Sequence, residues 1–147
     1  MKKMLIILGA VAMTTVAQAA SFKWTASGVT DALGTNPYNG AATIFFSVKD
    51  ADNWSVATAA TMTDGAFDVT LADDKFVGNT TYSFYYTMED ASGNKFTSGI
   101  KNKKAAATAT QSVAFSSSGS WEVVPEPTSG MLMFLGLAGL ALRRRRA

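Results

Sequence analysis

The run Thr81-Tyr82-Ser83-Phe84-Tyr85-Tyr86-Thr87-Met88 decides the fold class of this chain. Large apolar residues stand at every second position from Tyr82 to Met88, and residues with a hydroxyl group stand between them. Successive side chains of a strand point to opposite faces, so this period of two predicts a half-buried β-strand. A helix would need a sustained stripe of apolar residues three and four positions apart, and no convincing run of that kind occurs outside the two ends of the chain.

Similar alternation recurs along the chain, and it predicts seven or eight short strands at a spacing of about ten residues. Between Trp54 and Met62 the pattern is weaker, and Ala57–Ala60 fits a helical turn equally well. The other apolar sets are Phe22/Trp24/Ala26, Ile44/Phe46/Val48, Phe67/Val69/Leu71, Phe96/Ile100, Val113/Phe115 and Trp121/Val123.

Turn residues separate these sets. Asp64-Gly65 is a hairpin signal, and Gly78-Asn79 and Ser92–Asn94 bracket the Thr81–Met88 strand. Asn36–Gly40 predicts a loop, and Ser116–Ser120 predicts a flexible approach to the last strand. We therefore expect an all-β chain with one small β-sandwich over residues 20–124, immunoglobulin-like in character, with a jelly roll or a small barrel as alternatives.

The amino terminus has the three parts of a secretory signal peptide. Lys2 and Lys3 precede the apolar run Met4–Met13, and Ala17-Gln18-Ala19 supplies the Ala-x-Ala pattern that signal peptidase cleaves. The apolar run is too short to span a membrane, although an uncleaved amino-terminal anchor is the alternative. We expect export through the translocon, a signal peptide over residues 1–19 and cleavage after Ala19.

The carboxyl terminus, residues 125–147, has three elements in a fixed order: Pro125-Glu126-Pro127, the uncharged apolar run Gly130–Leu142, and the basic cluster Arg143–Arg146. As a helix the apolar run reaches about 20 Å, so residues 130–142 predict a short transmembrane helix in a thinned bilayer. Basic residues stay on the cytoplasmic side, which places the carboxyl terminus inside and the rest of the chain outside.

These three ordered elements resemble a PEP-CTERM sorting signal, a bacterial tail that an exosortase processes. The resemblance covers the tail alone. It implies transient anchoring in the inner membrane, cleavage near Pro125–Pro127 and delivery to the cell surface or extracellular matrix, commonly in bacteria that make exopolysaccharide. It implies nothing about the β-domain.

The charge of the exported part differs from that of the whole chain. The chain has 13 basic and 11 acidic residues, but Lys2, Lys3 and Arg143–Arg146 belong to the export segments. Seven lysines and ten acids remain in residues 20–124, a net charge of −3. This mildly acidic body makes nucleic acid an unsuitable partner.

The chain has no histidine and no cysteine, so it cannot form a Ser-His-Asp or Cys-His site, a disulfide, or a zinc site with nitrogen or sulfur ligands. The remaining route to catalysis is a pair of carboxylates, as in a small glycan hydrolase. The candidate pairs are Asp50/Asp52, Asp73/Asp74 and Glu89/Asp90, each expected at a strand end. We expect no enzyme activity and no cofactor.

Three features are compatible with ligand binding. Asp50 and Asp52 offer oxygen ligands for calcium, although the spacing lacks the glycine and distal glutamate of an EF-hand loop. Trp54 and Tyr85 are candidate glycan contacts, and cross-strand packing is the favoured explanation of such aromatic residues on an outer face. Lys101–Lys104 could touch acidic polysaccharide, and a charged loop is the alternative.

The sequence thus predicts a non-catalytic surface or extracellular-matrix protein associated with exopolysaccharide. A carbohydrate-binding module or a calcium-dependent adhesion module is the alternative, and a small glycan hydrolase the remote one.

Overall fold

The computed structural model describes residues 19–124 and 129–144. The predicted signal peptide, apart from Ala19, lies outside the described residues, as do Pro125–Pro127, Arg145 and Arg146. The described part contains nine strands and one helix: β1 (Ala19–Ala26), β2 (Gly40–Val48), β3 (Ser55–Met62), β4 (Phe67–Val77), β5 (Thr81–Glu89), β6 (Lys95–Ser98), β7 (Lys101–Lys104), β8 (Gln111–Phe115), β9 (Gly119–Glu122) and α1 (Ser129–Arg144).

The strands form two sheets, which confirms the all-β, sandwich-like prediction. The smaller sheet has the order β4-β1-β8, with β4 antiparallel and β8 parallel to β1. The larger sheet has the order β3-β2-β5-β6-β9, and β7 also pairs with β5. The run that decides the fold class is therefore β5, the strand with most partners in the larger sheet.

The core lies between the sheets and is mainly aromatic. Phe22 and Trp24 of β1 face Phe84 of β5, and Phe76 of β4 packs edge-on against Phe22 at 5.0 Å between ring centroids. Phe22, Trp24 and Phe84 are alternate residues that the period of two predicted, whereas Phe76 lies beyond the predicted Phe67/Val69/Leu71 set. Each of the four is at most 1% exposed. Edge-to-face contacts of this kind add about 0.5–1.5 kcal/mol per pair beyond burial itself.

Tyr82, near the start of β5, ties the chain reversal before it to the core. Its hydroxyl donates a hydrogen bond to the carbonyl of Lys75 and accepts one from the N–H of Val77, at 3.2 and 2.8 Å. The same side chain is buried and contacts Phe76. One tyrosine thus satisfies two backbone groups where the chain passes from the smaller sheet to the larger one.

The Asp64-Gly65 hairpin prediction is confirmed by two successive left-handed residues, with φ of 50° and 71°. This is the geometry of a type I′ turn, whose twist matches the flanking strands β3 and β4. Thr63 and Ala66 close the turn as an isolated bridge.

Three local predictions were wrong, and one open alternative is decided. Ala57–Ala60, for which a strand and a helical turn fitted equally well, lies within β3, because pairing with β2 overrides the helical preference of alanine. Lys101–Lys104 forms β7, because its backbone pairs with β5. Asp73 and Asp74 lie inside β4, where the register with β1 shifts, and not at a strand end. Gly119 and Ser120 begin β9, because they pair with β6.

A bulge separates β6 from β7. Thr97 pairs with Thr87 and Lys101 with Phe84, so three residues on one strand face two on β5. Ser98 compensates for the interrupted pairing, because its hydroxyl accepts a hydrogen bond from the N–H of Tyr86 at 2.9 Å. Ile100 therefore leaves the ladder and is exposed instead of continuing the predicted strand.

The carboxyl-terminal helix α1 spans 16 residues and includes the whole predicted segment 130–142. Only the helical structure of this segment is thus confirmed. Within residues 19–124 and 129–144, the structure has no helix whose length and apolarity suffice for crossing a membrane.

Candidate functional site

The side of the larger sheet that faces away from the core, here called the outer face, brings together aromatic and hydroxyl side chains. Phe45 of β2 is the direct partner of Tyr85 of β5 in the ladder. The next row toward the end of β5 consists of Thr43, Thr87 and Thr97, which are neighbours across three strands. Neighbouring strands are about 4.8 Å apart, so each row presents its side chains at this spacing.

The aromatic cluster of the outer face consists of Phe45, Tyr85 and Trp54. The Phe45 and Tyr85 rings are stacked, with 5.0 Å between centroids and 10° between planes. Trp54, from the loop before β3, stands edge-on to Tyr85 at 4.7 Å. All three residues are half-buried, so each packs against its neighbour while part of its surface faces solvent.

Beside the aromatic cluster lies an open groove with a volume of about 400 Å³. Thr43, Thr87 and Thr97 line its floor, and the charged side chains of Glu89, Lys95 and Glu122 line its end. These three charged residues are neighbours across β5, β6 and β9. Aromatic rings beside hydroxyl and carboxylate groups can contact a sugar ring and its hydroxyls together.

The second candidate site is the junction between the β-domain and the tail. Strand β9 ends at Glu122, so only Val123 and Val124 separate it from Pro125. Trp121 anchors this strand: its indole N–H donates to the carbonyl of Thr30 at 3.1 Å, and its ring packs against Phe96.

A side-chain relay fixes the residue just before Pro125. The N–H of Val124 donates to the side-chain oxygen of Asn94 at 3.0 Å, and the Asn94 amide donates to Asp90 at 2.7 Å. Asp90 also accepts from the backbone N–H groups of Ser92 and Asn94. The hydrogen bond from the Asn94 side chain is the main cause that lowers the pKa of the Asp90 carboxyl, which stays charged at neutral pH.

The calcium candidates lie in the loop after β2. Asp50 has a left-handed backbone (φ 67°) and a carboxylate 3.4 Å from the Lys49 ammonium group. Asp52 is exposed in the same loop. Among the described residues, no three acidic side chains gather as a metal site would require.

The three candidate carboxylate pairs lie at different places in the fold: Asp50/Asp52 in the loop after β2, Asp73/Asp74 inside β4 and Glu89/Asp90 at the end of β5. Asp73 accepts the N–H of Lys75 and lies 3.4 Å from the ammonium group of that lysine; the backbone hydrogen bond is the main cause that lowers the pKa of Asp73. Glu89 points to the groove, whereas Asp90 belongs to the relay at the junction.

The export residues are only partly described. Ala19 is the first residue of β1 and pairs with Val77, while Ala17 lies outside the described residues. Arg143 and Arg144 form the last turn of α1.

The sequence did not single out the junction relay or the threonine row. Asp90 followed by Gly93 and Asn94 is a recognisable turn motif, but its contact with Val124 depends on β9 pairing with β6. The threonine row depends on the register of three strands, which alternation alone does not determine.

Comparison with known proteins gives one match, and it concerns the tail. Residues 123–146 match the family model of the PEP-CTERM protein-sorting motif, which confirms the resemblance. The tail is thus a sorting motif that indicates export, anchoring in the membrane before processing, and processing by an exosortase. The match begins at the residue after β9. No curated protein and no solved structure matches the chain.

Proposed function

We propose that this chain is a bacterial surface or extracellular-matrix protein, sorted by an exosortase-type system, whose non-catalytic β-domain associates with exopolysaccharide. The observation that carries the proposal is the sorting motif at residues 123–146, which follows β9 without a spacer. The motif concerns delivery, and the β-domain is the part that remains at the surface after the tail is removed.

The exposure of α1 supports a membrane-bound stage before processing. Its apolar side chains from Met133 to Leu142 are exposed, with Phe134 at 79% and Leu135 at 68%. Exposed apolar surface of this extent on one helix is typical of a segment that contacts lipid. With Arg143–Arg146 on the cytoplasmic side, the β-domain lies outside the inner membrane.

We further propose that the sandwich is immunoglobulin-like. The Tyr82 hydroxyl donates to the carbonyl of Lys75 and accepts from the N–H of Val77, which is the geometry of a tyrosine corner, and in that fold the corner sits at the start of the corresponding strand. Domains of this architecture commonly bind partners without catalysing reactions.

The outer face is the proposed glycan contact. Phe45, Tyr85 and Trp54 provide partly exposed aromatic surface, and Thr43 and Thr87 place hydroxyl groups in the adjoining row. The groove is open and shallow, which fits contact along a polymer better than enclosure of a reacting bond.

Mass spectrometry of the protein from surface and membrane fractions, mapped at both termini, tests the sorting proposal. We expect the surface form to begin at Ala20 and to end near Pro125–Pro127. A surface form that still carries Arg143–Arg146 would contradict tail removal. Co-sedimentation of the surface form with the polysaccharide of the producing cells tests the association, and a protein recovered entirely in the polymer-free supernatant would contradict it.

A further inference from the structure

We propose that β7 binds an anionic polysaccharide through Lys101, Lys103 and Lys104. The inference names the charge class of the polymer in the proposed function, and therefore rests on that function. Three of the four residues of β7 are lysines; Lys103 and Lys104 are exposed and Lys101 is half-buried. Lysine on a strand edge also prevents edge-to-edge aggregation.

The first support is that these three lysines are not neutralised. Within the described residues, Lys23 pairs with Asp68, Lys49 with Asp50 and Lys75 with Asp73, at 2.8 to 3.4 Å. The lysines of β7 have no carboxylate within salt-bridge distance in the same part of the chain. Their positive charge is therefore available to a ligand.

The second support is the segregation of charge along the body. The end from which the tail leaves has one basic residue, Lys95, and a net charge of −4. The remainder of residues 20–124 has six lysines and five acids, which gives it a net charge of +1. Residues 20–124 as a whole have a net charge of −3. Contacts of Trp121 with Thr30, of Tyr38 with Glu89, and of Asn39 with Asp64 place the acids of the tail end together. Those acids are Asp31, Asp64, Glu89, Asp90 and Glu122.

The third support is the position of β7 beside the start of β5. Lys104 pairs with Thr81 and so lies on the outer face, whereas Lys101 and Lys103 pair with Phe84 and Tyr82 and lie on the opposite face of the strand. The next row contains Ser83 and Asn102, whose side chains are hydrogen bonded at 2.6 Å. The aromatic cluster follows directly, so Lys104, the polar pair and the aromatic rings form one continuous surface, and Lys101 and Lys103 add positive charge along the same strand.

The orientation of the β-domain relative to the tail favours a polymer, and not the membrane lipid of the same cell, as the ligand of β7. β7 pairs with the start of β5, and the tail leaves beside the end of β5, at Glu89–Lys95–Glu122. β5 has nine residues, so the two ends are about 25 Å apart. While the tail is in the membrane, the acidic end of the larger sheet lies nearer to the lipid, and the lysines of β7 lie at the far end of that sheet.

The test measures binding of the full exported chain, purified in detergent, to immobilised alginate as a polyuronate and to dextran as a neutral polymer. Two triple variants with equal change of charge are compared: K101Q/K103Q/K104Q in β7, and K23Q/K49Q/K75Q, the three lysines paired with carboxylates, as the control. Melting temperatures within about 2 °C of the parent establish that both variants are folded. Vesicles containing anionic lipid serve as the competing surface.

We expect the parent to bind alginate more tightly than dextran, with affinity that falls as salt rises. The affinity of the β7 variant for alginate should fall about tenfold or more, and that of the control variant less than about threefold. Equal losses in both variants, absence of alginate binding at low salt, or tighter binding to anionic vesicles through the same lysines would each overturn the proposal. If alginate binding fails while the surface form still lacks its tail, the sorting proposal stands; if the tail is retained, that proposal fails independently.

Discussion

The side-chain oxygen of Asn94 accepts a hydrogen bond from the backbone N–H of Val124 at 3.0 Å, and Val124 immediately precedes Pro125. The hairpin between β5 and β6 thus holds the last residue before the sorting tripeptide. Asp90 in turn holds the Asn94 amide at 2.7 Å, so the relay is fixed from inside the hairpin.

Replacing Asn94 with Ala should loosen this junction. The Val124 N–H loses its partner, and the segment after β9 becomes more accessible to a protease. We expect elastase to cleave near Val123 and Val124 several-fold faster than in the parent, with little change in melting temperature because the site is at the surface. Asn53→Ala, in an exposed loop, is the matched control; an equal acceleration there would exclude a role of the relay.

Gly119→Ala should weaken the attachment of β9. A Cβ at this position would lie 2.7 Å from the Thr97 carbonyl oxygen and would overlap the ring of Phe96, which is 2% exposed. The ring cannot move outward without opening the core, so we expect a loss of about 1–3 kcal/mol in the free energy of unfolding. Denaturant titration measures this loss.

Gly99→Ala is the control for that measurement. A Cβ added at Gly99 would have its nearest neighbour, the Ser118 carbonyl oxygen, at an ordinary contact distance of 3.9 Å. This variant should therefore remain within about 0.5 kcal/mol of the parent. A Gly119→Ala protein as stable as Gly99→Ala would show that Phe96 adapts readily.

Tyr86→Phe should stabilise the domain at neutral pH. The Tyr86 hydroxyl is completely buried and has no hydrogen-bond partner among the described residues. Removing a buried unsatisfied hydroxyl is expected to raise the free energy of unfolding by about 1 kcal/mol. Tyr82→Phe is the matched control, because it removes a hydroxyl with two backbone partners and should lower stability by a similar amount. A loss of stability in both variants would contradict the expectation.

The same residue should make the parent sensitive to alkali. Burial raises the pKa of Tyr86 to about 12, from an ordinary value of 10. Between these values the unfolded chain releases the proton and the folded chain keeps it, so stability falls as pH rises through this window. The part of the fall in unfolding free energy that is due to Tyr86 is at most about 1.4 kcal/mol per pH unit. This part should be absent in Tyr86→Phe when melting is followed from pH 9 to 12.

Trp54→Ala and Tyr85→Ala should each weaken binding to exopolysaccharide by about threefold to tenfold, because each removes partly exposed aromatic surface from the outer face. Tyr85→Phe keeps the stacking with Phe45 and should bind within about twofold of the parent. Affinity electrophoresis in gels containing the polysaccharide measures the effect. Unchanged mobility of both alanine variants would assign the aromatic cluster to packing alone.

Replacing Arg143–Arg146 with glutamines should weaken retention of the unprocessed chain. Without these charges nothing keeps the carboxyl terminus on the cytoplasmic side, so full-length protein should leak outward. Immunoblotting of membrane and medium fractions measures the ratio. Full retention in the inner membrane would contradict the proposed topology.

Local chemistry is enough to determine several features of this protein. Alternation in Thr81–Met88 predicts a strand with one buried face, because a strand reverses its side chains at every residue. Asp64-Gly65 predicts the hairpin, because a type I′ turn needs residues that tolerate positive φ. The sorting tail is recognisable because its three elements act in linear order and need no partner from the folded body.

Other features depend on contacts between residues far apart in the chain, and these the sequence alone could not predict. Lys101–Lys104 is a strand because its backbone pairs with β5, although the composition of the segment itself does not favour a strand. Asn94 meets Val124 only because β9 pairs with β6, and Phe45 meets Tyr85 only in one register of β2 on β5. Sequence alternation determines which face a side chain occupies, whereas pairing and register, set by packing of the whole sandwich, decide which side chains become neighbours.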